Sequence, residues 1–157
     1  CCHSWKRRPS VTGLFGRTGA LRRLLPGLSV SQRNVPVPEA GGASAVVDWV
    51  SGACFMATRE ALQRVGGFDE RYFLYWEDAD LCRRLRGAGF EIRYAPAAVA
   101  VHQVGQSSRR ARAASIRAFH ESAYRYYTTW VAPGALDPRR VVARVALAAR
   151  CWWRLRA

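Results

Sequence analysis

The chain has 157 residues, of which 50% are hydrophobic, and it carries a formal net charge of +14 at pH 7. This length suits one domain, and the apolar fraction is large enough to fill a core. The sequence has no run of about eighteen uncharged apolar residues, so it predicts no transmembrane helix. The first ten residues, 1-CCHSWKRRPS-10, lack the apolar segment of a secretory signal.

The five cysteines are unevenly spaced and form no CxxC motif. An odd number without a pattern is typical of reduced thiols in the cytoplasm rather than of a disulfide-bonded scaffold. The first residue is Cys1, and the only methionine is Met56. Because a natural chain starts with methionine unless it is processed, we expect a fragment whose N-terminal part is absent.

The basic excess is almost entirely arginine, because Lys6 is the only lysine among the 25 basic residues. Basic charge attracts the phosphates of nucleotides, nucleic acids and lipid head groups. Two causes stay open, a coding bias toward Arg and Ala and an anionic membrane surface. The charge is scattered and no reading motif is present, which disfavours nucleic acid as a partner.

Residues 1–45 are rich in Arg, Gly, Ser and Pro, and this composition predicts a flexible, basic, loop-rich segment. The apolar, β-branched stretch 45-AVVDWVSGACFMAT-58 then predicts a buried strand interrupted at Ser51-Gly52. Thr58 is suited to cap a short helix, 59-REALQRV-65, which Gly66-Gly67 would end. In that helix, Leu62 and Val65 should face inward.

A second helix is predicted from about Glu77 to Ala88. Its buried stripe would consist of residues three or four apart, namely Leu81, Leu85 and Ala88. The arginines on its other faces, Arg83, Arg84 and Arg86, should be mostly solvated. The stretches 90-FEIRYAP-96 and 97-AAVAVHQV-104 then predict two strands, and we take residues 46–110 as one segment of an α/β domain.

The third segment, residues 111–157, is predicted to be helical from about Ser115 to Val131 and from about Pro138 to Arg156. At 100° per residue, the last helix has a broad apolar face formed by Val141, Val142, Val145, Ala148, Ala149, Trp152 and Trp153. Arginines occupy most of the opposite face. A basic amphipathic helix with tryptophans can lie on an anionic bilayer, and the alternative is that this face packs on the domain or on a partner.

Acidic residues cluster in one short stretch, 66-GGFDERYFLYWEDADLCRRLRGAGF-90. Five of the eleven acidic residues lie there beside four aromatic residues, within the positions Asp69 to Asp80. A carboxylate at the start of a helix is normally ionised and suits a general base. Structural roles stay open: Asp69 and Glu70 would shape a turn, and Asp80 would cap the helix or pair with Arg83 or Arg84.

The run from Val47 to Gly105 closely resembles the C-terminal half of family 2 glycosyltransferases, especially rhamnosyltransferase-like and galactofuranosyltransferase-like members. The resemblance rests on DWVSGA, on GGFDERYFLYWEDADLCRRLRGAGF and on VHQVG, and it continues weakly through 119-FHESAYRYYTTW-130. It implies an α/β fold, namely the C-terminal half of a Rossmann-like GT-A domain with trailing amphipathic helices. It also implies transfer of a hexose, of which rhamnose is one candidate, from a nucleotide-diphosphate-sugar to a glycan or lipid-linked acceptor of the cell envelope.

The resemblance also assigns roles to particular residues. Asp78 would be the general base of an inverting single displacement, with Glu77 and Trp76 at the acceptor. Asp48, Trp49 and Gly52 would line the acceptor and sugar pocket. His102, taken alone, is more often a packed or solvated residue, but it matches the histidine that joins a DxD motif in holding Mn²⁺ or Mg²⁺.

This sequence departs from the family pattern in its first 47 residues, where no nucleotide-binding segment with a DxD motif precedes Asp48. We therefore expect the isolated chain to transfer no sugar. We also expect it in the cytoplasm, or peripherally on the inner face of the plasma membrane. Two other readings stay open, a basic non-catalytic module that binds membrane or nucleic acid, and a degenerate remnant.

Overall fold

A computed structural model of the chain describes residues 43–100 and 111–157. The segment predicted to be flexible, residues 1–45, lies almost entirely outside these ranges, as does His102. Within them the chain forms two short strands and four helices. In chain order these are β1 (Ala45–Val46), α1 (Arg59–Val65), α2 (Glu77–Gly87), β2 (Arg93–Tyr94), α3 (Arg112–Trp130) and α4 (Arg139–Arg156).

The two strands pair antiparallel, with Ala45 opposite Tyr94 and Val46 opposite Arg93. One further bond, from the N–H of Val47 to the carbonyl of Ile92 at 2.9 Å, extends the pairing. The long strand predicted over 45–58 is therefore wrong beyond its first two residues. From Asp48 onward the chain turns away instead, which brings the backbone of Gly52 against α2.

The strand predicted over 97–104 is also wrong in the part that the structure describes. Residues 97–100 are not part of a strand, and the remaining four lie outside the described ranges. Of the strand predicted over 90–96, only β2 is observed.

Helix α1 has the termini that the sequence predicts. The Thr58 hydroxyl accepts a hydrogen bond from the N–H of Ala61 at 3.2 Å, which satisfies one of the free donors at the helix start. Gly66 ends the helix in the left-handed region, at φ 75°, where a residue without a Cβ is favoured. Leu62 and Val65 pack against the core, as predicted.

Helix α2 crosses the core between α1 and the strands. Leu81, Cys82 and Leu85 are buried in one cluster with Val47 and Ile92. The prediction for Ala88 is wrong, because this residue lies just past the helix end and is exposed. Cys82 takes part in the buried stripe instead, since it lies next to Leu81 and faces the backbone of Val50.

Two arginines predicted to be solvated are packed against other elements. The Arg84 guanidinium donates to the carbonyls of Val65 and Gly67, at 2.8 and 2.7 Å. Arg83 lies over the Trp130 ring, with 4.8 Å between the guanidinium carbon and the ring centroid. Both side chains therefore tie α2 to neighbouring elements, which a stripe analysis of one helix could not reveal.

Helices α3 and α4 pack against each other at the C-terminal end of the chain. Helix α4 contacts α3 through its buried residues Ala143 and Leu147. Its predicted apolar residues stand on the other side and are exposed. We call these residues the α4 apolar face: Val141, Val142, Val145, Ala148, Ala149, Trp152 and Trp153.

In the part of the chain that the structure describes, every residue of the α4 apolar face is exposed. The alternative in which this face packs on the domain is therefore not observed there. Nor does any helix in the described ranges have the length and apolarity needed to cross a bilayer. Helix α3 lies between α4 and the acidic, aromatic stretch, so it connects the two parts of the chain that carry the functional predictions.

Candidate active site

A strained turn precedes α2. Tyr75 and Trp76 have φ angles of 67° and 70°, in the left-handed region that residues with a Cβ rarely adopt. Each such residue costs on the order of 1–3 kcal/mol, so the surrounding structure must compensate. The turn matters because it ends directly at Glu77 and Asp78 and sets the direction in which both side chains leave the helix start.

Helix α3 holds this turn in place. The Ser122 hydroxyl, which is buried, donates to the carbonyl of Leu74 at 2.9 Å. The rings of Tyr75 and Phe119 meet edge to face with centroids 5.7 Å apart. Trp76 packs against a second α3 ring, that of Tyr126, at 5.2 Å.

The Asp78 carboxylate is oriented by backbone N–H groups. Its Oδ2 accepts from Gly52 at 2.9 Å and its Oδ1 accepts from Ala79 at 2.7 Å. The side chain is half-buried, so it is open to solvent on one side. A carboxylate has about four acceptor positions, which leaves lone pairs for the hydroxyl of a bound molecule.

Gly52 lies in van der Waals contact with Asp78. A Cβ added at Gly52 would stand 3.4 Å from the Cβ of Asp78 and 3.8 Å from its Oδ2. The segment after β1 therefore lies directly against the start of α2. The two motifs that the sequence analysis singled out, DWVSGA and WEDAD, meet at this point.

The neighbouring Glu77 carboxyl is in a different environment. Burial raises its pKa, a hydrogen bond from its own backbone N–H lowers it, and the charge of Asp78 raises it further. Its Oε2 is buried and has no hydrogen-bond partner among the described residues. The pair thus combines one anchored, partly exposed carboxylate with one half-buried carboxyl that resists ionisation.

Asp80 has a structural role. Its side chain is only 2% exposed and pairs with Arg84 at 2.7 Å. It also accepts from the indole N–H of Trp130 at 2.7 Å and from the hydroxyl of Tyr72 at 3.4 Å. Burial and this carboxylate both raise the pKa of Tyr72. The predicted pairing with Arg84 is confirmed, and Asp80 joins α2 to α3 rather than facing a cleft.

A cleft of about 250 Å³ opens beside α2. At its rim, Arg86 and Asp48 form an ion pair at 2.6 Å. The cleft combines a carboxylate, arginines and flat aromatic surfaces, which are groups that bind sugar hydroxyls and sugar faces. Its lining consists of Asp48, Trp49, Ala79, Arg83, Arg86, Gly87 and Tyr126.

The structure brings most of the predicted site residues together. Gly52 and Asp78 are in contact, and Trp76 and Glu77 adjoin them at the start of α2. Asp48 and Trp49 lie in the cleft next to Ala79. The indole nitrogens of Trp49 and Trp76 are buried without a partner among the described residues. His102 lies outside the described residues, so its predicted role stays a prediction.

Sequence reasoning missed the contribution of α3. Phe119, Ser122 and Tyr126 hold the turn or line the cleft, although they follow Asp78 by more than forty positions. The resemblance reached them only weakly, through 119-FHESAYRYYTTW-130. A signal that could have identified them is the pairing of an aromatic-rich helix with an aromatic-rich turn.

The described residues do not by themselves form a metal site. Within residues 43–100 and 111–157, no three side chains of His, Cys, Asp or Glu stand close enough to hold an ion together. Both Asp78 oxygens are already engaged by backbone N–H groups. We therefore derive no chemical step through a metal from this geometry.

Parts of the chain are similar in sequence to known glycosyltransferases. The chain is 44% identical over 92 residues to the N-acetylglucosaminyl-diphospho-decaprenol L-rhamnosyltransferase of Mycobacterium tuberculosis, covering 55% of this chain and 30% of that protein. It is 35% identical over 99 residues to the rhamnosyltransferase WbbL of Escherichia coli K12, covering 63% and 37%. A pre-mycofactocin glycosyltransferase of M. tuberculosis is 39% identical over 75 residues, covering 48% and 15%.

The chain thus spans about a third of the length of the first two of these relatives. No solved structure matches it. The profile of the family described as glycosyltransferase like family 2 matches residues 1–122, which is well over half of the chain and includes the whole region around Asp78. The chain belongs to the family 2 glycosyltransferases.

Proposed function

We propose that this chain forms the acceptor-side, C-terminal half of a GT-A domain in an inverting hexosyltransferase. The observation that carries the proposal is the Asp78 carboxylate, which is half-exposed at a helix start and held there by two N–H groups. A strained aromatic turn precedes it, and the cleft with the Asp48–Arg86 ion pair begins at the next residue, Ala79. Strain concentrated beside a carboxylate pair is typical of a functional site.

In the reaction, Asp78 acts as general base on an acceptor hydroxyl. The hydroxyl oxygen attacks the anomeric carbon of the donor sugar, and its proton passes to the carboxylate. The bond from the anomeric carbon to the nucleotide diphosphate breaks on the opposite face, so configuration inverts. The N–H groups of Gly52 and Ala79 hold the Asp78 carboxylate in one orientation. A fixed orientation favours the geometry that proton transfer needs.

The residues around the base bind and position the acceptor. The half-buried Glu77 carboxyl, whose pKa is raised by burial, lies next to the base and is suited to hydrogen-bond a sugar hydroxyl. The indole N–H groups of Trp49 and Trp76 have no partner within residues 43–100 and 111–157 and offer two further donors. Arg86 and Asp48 present opposite charges to polar groups in the cleft.

The substrates are proposed from the names of the relatives. One relative is a rhamnosyltransferase that acts on N-acetylglucosaminyl-diphospho-decaprenol, and another is a rhamnosyltransferase. We therefore assign this chain to an enzyme that uses a nucleotide-diphosphate-rhamnose donor and a lipid-linked glycan acceptor. The chain spans about a third of the length of these two relatives. We therefore propose that donor binding and transfer need the further part that the relatives have, so the chain by itself should transfer no sugar.

A divalent metal, Mn²⁺ or Mg²⁺, belongs to this proposal only through His102. Imidazole suits Mn²⁺ better than it suits Mg²⁺, which prefers oxygen ligands. When bound, such an ion would neutralise charge on the departing diphosphate. Substituting His102→Ala should weaken the metal dependence of transfer, and an unchanged metal titration would remove His102 from the ligand set.

The role of Asp78 as the base is tested in a chimera. In this chimera the chain replaces the matching part of the M. tuberculosis rhamnosyltransferase. Rhamnosyl transfer is measured with the donor and acceptor of that relative. Asp78→Asn should lower kcat by about a hundredfold or more, because the general base is lost while the shape is kept. The KM for the donor should change little.

The matched control is Asp137→Asn, the same change at a half-buried aspartate that lies before α4 and pairs with Arg139. This control should keep the activity of the parent chimera. An Asp78→Asn chimera that transfers rhamnose at the parent rate would refute the assignment of the base. Full activity of the unmodified 157-residue chain would instead refute the proposal that it needs a nucleotide-binding half.

A further inference from the structure

The α4 apolar face has no partner among the described residues. Val141, Val142 and Val145 are 66%, 70% and 63% exposed, and Trp152 and Trp153 are 55% and 57% exposed. At 100° per residue these positions form one continuous band along the helix, on the side opposite Ala143 and Leu147. Isolated exposed apolar residues need no explanation, but a contiguous band of seven indicates a binding surface.

The charge around this band selects the kind of partner. Pro138 to Ala157 contains six arginines and no acidic residue. Arg139 and Arg144 stand next to opposite edges of the band. Arg139 pairs with Asp137 at 2.6 Å, Arg144 lies over the Tyr124 ring at 4.9 Å, and Arg156 stacks on Trp152 at 3.7 Å from the ring centroid. The surroundings of the band keep a net positive charge, so a fitting partner is apolar in the middle and negatively charged around it.

We propose that the α4 apolar face lies on an anionic lipid bilayer, with α4 parallel to the membrane plane. Valines and tryptophans would enter the boundary of the acyl chains, and the flanking arginines would contact the phosphates of the head groups. An arginine side chain is long enough to keep its charge at the level of the phosphates while its stem lies along apolar surface. This surface would hold the chain on the inner leaflet.

A second copy of the chain fits this face less well. Two copies joined through it would bring arginine-rich borders close together. Residues 138–157 contain no carboxylate side chain, and Asp137, just before α4, is already paired with Arg139 of its own chain. Like charges held near one another are destabilising. A lipid surface supplies the missing negative charge.

Helix α4 lies close to the candidate active site. The Arg150 guanidinium lies over the Phe119 ring, at 5.6 Å, and Phe119 in turn contacts Tyr75 and Trp76. One layer of α3 side chains thus separates α4 from the turn before Asp78. A membrane-bound α4 would keep that turn near the bilayer.

The experiment is co-sedimentation of the full 157-residue chain with vesicles at about 0.15 M salt, where long-range charge effects are screened. One set of vesicles is phosphatidylcholine alone, and the other contains phosphatidylglycerol. The chain should bind the anionic vesicles at least tenfold more tightly than the neutral ones. The double variant Trp152→Ser, Trp153→Ser should lose about tenfold in affinity for the anionic vesicles, since it keeps all the arginines and removes only apolar area.

The matched control is Phe73→Ser with Leu136→Ser, which removes two residues that are 87% and 97% exposed and lie outside α4. It should bind as the parent does. Because none of these four side chains is buried, circular dichroism should show an unchanged helix content. Val145→Ser provides a second variant on the same face and should weaken binding in the same direction.

Three results would overturn the proposal. Equal binding of the parent and the double tryptophan variant would show that net charge alone attracts the chain to vesicles. Equal binding to neutral and anionic vesicles would remove the role of the arginine borders. Failure to bind vesicles, combined with a concentration-dependent dimer that the tryptophan substitutions abolish, would make the face an interface between copies.

Discussion

At the scale of single residues, the site depends on two adjacent carboxyl groups in unlike surroundings. Asp78 is held by backbone N–H groups and remains open to solvent on one side. Glu77 is half-buried with one oxygen unpaired, and burial raises its pKa. Two neighbouring carboxyl groups with different environments can divide the work, one taking a proton and the other binding a hydroxyl.

The substitution Glu77→Gln should stabilise the chain at neutral pH by up to about 1 kcal/mol, because an amide has no charge to desolvate. Because the pKa of Glu77 is higher in the folded chain than in the unfolded chain, its contribution to stability is fully present only below the pKa of the unfolded chain. This contribution is lost as the pH rises through the folded pKa. The variant should therefore lose less stability than the parent when the pH is raised from 4 to 7, as measured by urea unfolding.

The control for this prediction is Glu70→Gln, which makes the same change at an exposed position. It should leave the pH dependence as it is in the parent. A Glu77→Gln variant that is less stable than the parent at pH 7 would contradict the assigned environment of the carboxyl group.

At the scale of elements, α3 is the scaffold of the site. Its residues Phe119, Ser122 and Tyr126 contact the turn at Tyr75 and Trp76, and Trp130 anchors Asp80. The turn therefore keeps its unfavourable φ angles only while α3 is packed against it.

The substitution Ser122→Ala should destabilise the chain by about 1 kcal/mol, because the carbonyl of the half-buried Leu74 loses its donor. Urea unfolding measures this change. In the chimera described above, the same substitution should lower kcat more than it changes KM, since a relaxed turn would displace Asp78.

Ser115→Ala supplies the control on the same helix. Ser115 is buried, but its side chain makes no hydrogen bond to the turn. Its substitution should cost well under 1 kcal/mol and leave kcat unchanged. Equal losses for the two serines would show that the Leu74 contact has no special role.

The interface between α3 and α4 should respond to acid. Burial lowers the pKa of His120, the carbonyl of Ile116 opposes this effect, and Arg150 and Arg154 lower the pKa further. Because its folded pKa is depressed, neutral His120 favours folding above the ordinary value of about 6.5. That stability is lost as the pH falls toward the folded pKa.

Urea unfolding between pH 7 and pH 5 should therefore show a loss of stability that His120→Gln reduces. Glu121→Gln, at the exposed neighbouring position, should keep the parent profile. A parent profile that is flat over this range would contradict the buried, neutral state of His120.

The helices could be predicted from the sequence wherever local signals determine them. Thr58 and Gly66 define α1 through contacts within a few residues, and the termini of α2 and α4 were predicted to within one or two residues. The long strand after Ala45 was wrong because strand formation depends on a distant partner, and β2 offers only two residues to pair with.

The site could be predicted in part for the same reason. The motif residues Gly52, Trp76, Glu77 and Asp78 lie together as the resemblance implies. The positions of Arg83 and Arg84 were wrong, since their partners Trp130 and Gly67 lie 47 and 17 positions away. No periodic pattern within one helix contains such information.

At the scale of the whole molecule, family membership implies an α/β fold of the GT-A type. The described part contributes two short paired strands and four helices to such a fold. The site residues come from the segment after β1, from the start of α2 and from α3. The basic helix α4 lies on the far side of α3 from the turn. The arginines of α4 and the candidate catalytic residues are therefore separated by α3.

The strained turn has a consequence for any attempt to shorten this protein. A version ending at residue 100 would retain DWVSGA and WEDAD letter for letter, yet it would lack the rings and the hydroxyl that hold Tyr75 and Trp76 at positive φ. Those two residues would relax to ordinary backbone angles, and the carboxylate would swing away from Gly52. The presence of both motifs alone is therefore an unsafe guide to where this chain can be cut.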